Sequence, residues 1–116
     1  MWYNMDERDT ILKENYDEYF KSAEIALENG NYNVSTTLFF KAICSATDLF
    51  ILKFAKIVPS SHTNRFRIAQ EKFPNVYKIL DRDFPYYQDS YTKKMSNESA
   101  ELMKEDARRI KEMSEK

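Results

Sequence analysis

Glycine is nearly missing from this chain. Gly30 is the only one in 116 residues, and only three prolines accompany it. Sheets joined by tight hairpins need residues that accept a positive φ, and phosphate-cradling loops need several glycines. The chain is equipped for neither. It also has no GxGxxG, no GxxxxGK[ST], no GxSxG and no HExxH, which removes the commonest nucleotide-binding and hydrolase signatures. Cys44 is the only cysteine, so neither an intramolecular disulfide nor a cysteine-based zinc site can be completed. No apolar run reaches the roughly 18 residues that cross a bilayer. Charge of one sign is lacking too: 18 Lys and Arg stand against 19 Asp and Glu, leaving no global field to gather nucleic acid. The N-terminal "MWYNMDERDT" turns acidic where a secretory signal needs a basic start and an apolar stretch. These absences predict a cytoplasmic protein with no membrane association, one domain over residues 1–116, and no metal or cofactor.

What is present is helical periodicity. From about Asp6 to Asn29, the residues Leu12, Tyr16, Tyr19, Phe20, Ala23, Ala26 and Leu27 recur at steps of three and four, and "ENGN" supplies a stop, with Gly30 suited to a left-handed cap. A second segment, about Tyr32 to Ile57, carries Val34, Leu38, Phe39, Ala42, Ile43, Ala46, Leu49, Phe50, Phe54 and Ile57. That stripe is too wide for one neighbour and fits either the centre of a bundle or half of a subunit interface. Pro59 closes it, and Ser60, Ser61 and Thr63 are able to cap the next helix. A third stripe runs from about Thr63 to Tyr87, with a kink or break expected at Pro74. "DFPYYQDSYTKKMS", from Asp83 to Ser96, reads as a looser aromatic connection. A last helix starts after Ser96 or Asn97, with Ala100, Met103, Ala107 and Ile110 inward. The sum predicts an all-α fold, an up-and-down four-helix bundle whose third helix is kinked or split.

His62 is the only imidazole, and Arg65 stands about one helical turn beyond it. An imidazole beside a guanidinium can move a proton while the cation steadies a phosphorane-like charge, which suits a metal-independent ribonuclease. The same two residues also suit a helix start with no chemistry at all. Tyr86, Tyr87, Tyr91, Lys93 and Lys94 mix rings with positive charge, as surfaces that stack bases and neutralise phosphates do, and as aromatic packing over a bundle end also does. The acidic residues Asp6, Glu7, Asp9, Glu14, Asp17 and Glu18 lack the Glu-x-x-His pairing of a di-iron bundle, since no glutamate stands three residues before His62.

The order of these features resembles HEPN domains. "NYNVSTTLFFKAICSATDLFILK" is similar to the family's second helix, "VPSSH" to the Pro-containing loop and histidine after it, and "EKFP" to the kinked third helix. "YYQDSYTKKMSNESAELMKEDARRI" is similar to the tyrosine-containing connection and last helix, so the likeness spans about residues 15 to 113. It implies a helical bundle that commonly dimerises and serves as a metal-independent ribonuclease, as a toxin neutralised by a minimal nucleotidyltransferase, or as a non-catalytic module binding nucleotide or RNA. Nuclease members carry an arginine four to six residues before the histidine; here those positions hold Lys56, Ile57 and Val58. Where relatives read Arg and then Ala-Asp-Tyr, this chain has Tyr86, Ser90 and Tyr91. The expectation is therefore a non-catalytic module, a homodimer that binds a nucleotide, RNA or a nucleotidyltransferase partner, within a toxin–antitoxin pair. The alternative is a ribonuclease with His62 and Arg65 as catalytic pair. In either case Arg67, Tyr86, Tyr91 and Lys93 are the candidate nucleotide or RNA contacts.

Overall fold

The computed structural model describes residues 5–116, apart from the side chains of Met5 and Asp6, and among them it has helices and no strand. Residues 1–4, part of the stretch read for targeting, and the Asp6 carboxylate lie outside the described residues. Five helices succeed one another: α1 (Met5–Glu28), α2 (Tyr32–Ala55), α3 (His62–Lys72), α4 (Pro74–Asp89) and α5 (Asn97–Ser114). None is long and apolar enough to cross a membrane.

The helix ends reflect local chemistry. Past α1, Gly30 takes a left-handed φ of 74°, its N–H donates to the Leu27 carbonyl at 3.0 Å, and the Asn31 N–H donates to that of Ala26 at 2.8 Å. This reciprocal pair satisfies two carbonyls that the helix leaves open. α2 stops at Ala55, two residues before the expected Ile57 and ahead of Pro59. The turn is made by Lys56, the only described non-glycine residue with positive φ, at 64°. Ser61 caps α3 through its hydroxyl, which accepts from the Asn64 N–H at 3.1 Å, so His62 is the first helical residue. Ser96 and Ser99 cap α5 reciprocally.

The break expected at Pro74 is complete. Phe73, with φ −135° and ψ 68°, ends α3 and begins α4, because a residue before proline avoids helical geometry and proline fits the first helical position. The expected aromatic connection from Asp83 is corrected. Residues 83–89 are helical, α4 continues through Pro85, and the connection is only 90–96. Pro85 lies on the exposed side, where a missing helix hydrogen bond costs least, and the neighbouring Asp83 and Phe84 anchor the helix inward.

α2 is the axis of the molecule. α1 and α5 pack along it and α3 and α4 cover it elsewhere, so Phe39, Phe40, Ile43, Ile51 and Leu52 are fully buried. Most of the wide stripe is thus covered within one chain, with Val34 left exposed at its start and Phe54 and Ile57 at its end. α1 does not pack directly on α3 or α4 among the described residues. A groove therefore runs over α2 between them.

Candidate functional site

In the middle of the apolar helix α2 stands one carboxylate, Asp48, with a side chain only 9% exposed. A buried charge needs a partner. Arg65, one turn into α3, supplies it with a two-pronged contact: Nε donates to Oδ1 at 2.7 Å and Nη2 to Oδ2 at 2.9 Å. Such a planar fork is what arginine offers and lysine does not. The third corner of the guanidinium, Nη1, lies 2.9 Å from Nδ1 of His62.

That last contact fixes the chemistry of the imidazole. A guanidinium only donates, so Nδ1 must accept, and the single ring proton of neutral His62 sits on Nε2. Burial lowers the His62 pKa, and the nearby charges of Arg65 and Lys41 lower it further. Burial pushes the Asp48 carboxyl up while the Arg65 fork pulls it back. Burial works against the charge of the Arg65 guanidinium, but the hydrogen bond to Asp48 and the neighbouring Cys44 and Asp48 together raise its pKa and hold it protonated. Cys44, close by, has its thiol pushed up to about 12 by burial, which leaves it protonated and unreactive.

These groups line a cleft of about 240 Å³ in the groove over α2. Its walls are Asn15 and Tyr19 from α1, its floor is Phe40, Lys41 and Ser45, and its far wall is His62, Arg65 and Tyr87. Phe40 and Tyr87 stack at 4.7 Å, and the His62 ring stands 6.3 Å from that of Tyr87. On its other side His62 borders a more open hollow of about 460 Å³ with Thr63, Phe66, Arg67, Gln70, Asp81 and Phe84. A further hollow of about 370 Å³, lined by Lys13, Lys53 and Lys56, lies apart from the histidine. Ligand sites commonly enclose roughly 300–1,000 Å³, so the inner cleft is sized for a small group such as a phosphate with part of its carrier.

Of the residues singled out in the sequence, His62 and Arg65 touch, and Arg67 lies in the adjoining hollow. Tyr91 is 69% exposed and its hydroxyl bonds that of Tyr87 at 2.8 Å, which places it at the cleft's edge. Tyr86 packs on the core, and Lys93 pairs with Asp89 at 3.4 Å; neither lines the His62 cleft or the hollow beside it. Asp48, Lys41 and Tyr19 were not anticipated as site residues. Asp48 had a legible signal, being a lone acid in "AICSATDLFILK" with no cation three or four residues away on its own helix. Among the described residues no three His, Cys, Asp or Glu side chains gather as a metal site would require. No protein-family model matches this chain, and no curated protein or solved structure is significantly similar to it.

Proposed function

We propose that this protein is a non-catalytic, HEPN-like module whose His62 cleft binds the phosphate and adjoining ring of a nucleotide or of RNA. One observation carries the reading. The lone pair of His62 Nδ1 is taken by Arg65, and two of the three guanidinium nitrogens of Arg65 are taken by Asp48. A neutral imidazole so held presents only Nε2–H, a donor to a phosphate oxygen, with no free base to abstract a proton. Lys41 adds a positive charge at the floor, and Tyr19 and Tyr87 add ring surface.

The finer parts of the reading rest on the resemblance over residues 15–113. In it, α3 and α4 together form the third member of an up-and-down four-helix bundle, split at Phe73. The protein is a cytoplasmic homodimer, with Phe54 and Ile57, at the end of the α2 stripe, among the exposed apolar residues available for self-association. Its protein partner is a minimal nucleotidyltransferase, the two forming a toxin–antitoxin pair.

A second reading, ribonuclease, is favoured by the 2.9 Å approach of His62 and Arg65 beside an open cleft. The two are separated by incubating labelled RNA without metal with wild type and with His62→Ala, and by thermal shift with mononucleotides. The binding reading expects intact RNA in both lanes. It also expects a nucleotide-dependent gain in stability, about 2.7 kcal/mol at 100 times the dissociation constant, that Lys41→Ala weakens. Cleavage by wild type alone would replace this reading with the second.

A further inference from the structure

Away from the His62 cleft, α4 and α5 meet through a second and stranger polar contact. Asp83 on α4 has a side chain 0% exposed, and Asp106 on α5 is 2% exposed. The two carboxyls are drawn together at one guanidinium, that of Arg82, which contacts both. Among the described residues one cation attends them. Arg82 reaches Asp106 through Nη2 and Asp83 through Nε at 3.3 Å, while remaining 49% exposed itself. Asp83 Oδ2 is buried with no hydrogen-bond partner. Two buried carboxylates against one half-exposed guanidinium leave an uncompensated negative charge, which an interior does not tolerate.

We propose that Asp83 and Asp106 hold one proton between them, and that this shared proton is the latch seating α4 against α5. With the proton on Asp83, its hydroxyl donates to Asp106, Arg82 neutralises Asp106, and the cluster is uncharged. The proton resides on Asp83 because Arg82 engages Asp106 more closely. Burial, above all, and the neighbouring Asp106 raise the Asp83 pKa to about 8, against the pull of Arg82.

The other charged groups on the packed elements are engaged elsewhere or face solvent, Lys78, Asp81 and Arg109 among the exposed ones. On α2, Lys41 and Asp48 face the His62 cleft and Lys53 lies over Phe54. On α3, His62 and Arg65 serve that cleft, Arg67 lines the outer hollow, and Glu71 and Lys72 are exposed. On α5, Lys104 pairs with Glu24 and Arg108 with Glu105. Since Phe84 and Tyr87, on the same helix as Asp83, wall the two hollows beside His62, the latch sets the shape of both.

Linkage gives the sign. The folded state keeps the Asp83 proton up to about pH 8, whereas an unfolded aspartate releases it near roughly pH 4. Between those values wild type should lose folding equilibrium constant relative to Asp83→Asn by close to tenfold per pH unit, with no further divergence above. The asparagine amide keeps the hydrogen bond to Asp106 without a proton to lose.

The test is a ¹³C titration of the side-chain carboxyls in uniformly labelled protein, with urea unfolding of wild type and Asp83→Asn at matched pH. One aspartate titrating near 8 in wild type, absent in Asp83→Asn and moved toward the ordinary range in Asp106→Asn, is the expected result. The wild-type and Asp106→Asn titrations decide the matter even if Asp83→Asn fails to fold. Aspartates that all titrate in the ordinary carboxylate range, or unfolding profiles for wild type and Asp83→Asn that run parallel in pH, would overturn the latch.

Discussion

Asp48 illustrates how one residue ties fold to site. Its carboxylate is the only acid among the buried residues of α2, and its cost is offset by a guanidinium from another helix rather than by water. Removing one partner of such a pair strands the other charge, whereas replacing both with apolar residues of similar size removes the problem altogether. Asp48→Asn should therefore cost about 3–5 kcal/mol in urea unfolding, and the double replacement Asp48→Leu, Arg65→Leu should recover most of that loss. A cost below about 1 kcal/mol for Asp48→Asn would mean that the pair behaves as an exposed one. At this scale His62 and Arg65 were legible because helical spacing alone sets them one turn apart. Their anchor was not, since Asp48 and Arg65 are 17 residues apart on different helices, and their meeting depends on how α2 and α3 pack.

Helix ends at Gly30 and Ser96, and the break at Phe73, were readable because capping and proline geometry act within a few residues, and Ser61 was one of the three caps open to α3. The helical course of residues 83–89 was missed for the converse reason. A proline argues locally against a helix, but burial of Val76, Ile79, Leu80 and Asp83 on one face of α4 overrides it. The connection of 90–96 is also held by something the sequence conceals. Asn33, in the first turn of α2, donates through Nδ2 to the carbonyls of Ser90 at 2.9 Å and Lys93 at 2.7 Å, and its Oδ1 accepts from the Met95 N–H at 3.0 Å. Read locally, an asparagine there is a helix-start residue; its partners lie 57 to 62 positions away. Asn33→Ala removes three hydrogen bonds at one stroke and should cost about 3 kcal/mol, taking each bond at a net 0.5–1.5. Hydrogen exchange at the Met95 amide should accelerate while α1 amides, away from the connection, do not. An unchanged Met95 rate would show that the Thr37–Ser90 hydroxyl contact at 2.8 Å secures the connection without Asn33.

For the whole molecule, a radius of gyration of 13.9 Å against the roughly 13 Å expected of a packed chain this long places all five helices in one body. The width of the α2 stripe was legible, and of its two meanings the structure selects the central helix, because α1, α5 and α4 together cover what one neighbour cannot. A net charge of −1 then bears directly on the proposed binding. With no global field, affinity for an anionic strand has to come from the few cations at the cleft, Lys41 on its floor and Arg67 in the adjoining hollow, since Arg65 is neutralised by Asp48. Two phosphate contacts on single-stranded RNA give a slope of about −1.4 in log K against log salt. Fluorescence anisotropy of a short labelled RNA across a salt series should return that shallow value. If the protein pairs in solution and one strand crosses both clefts, four contacts double the slope to about −2.8, and Phe54→Glu, which opposes apolar self-association, should return it to the single-cleft value. A slope several times steeper in both proteins would place binding on a different, more basic surface and remove the cleft from the mechanism.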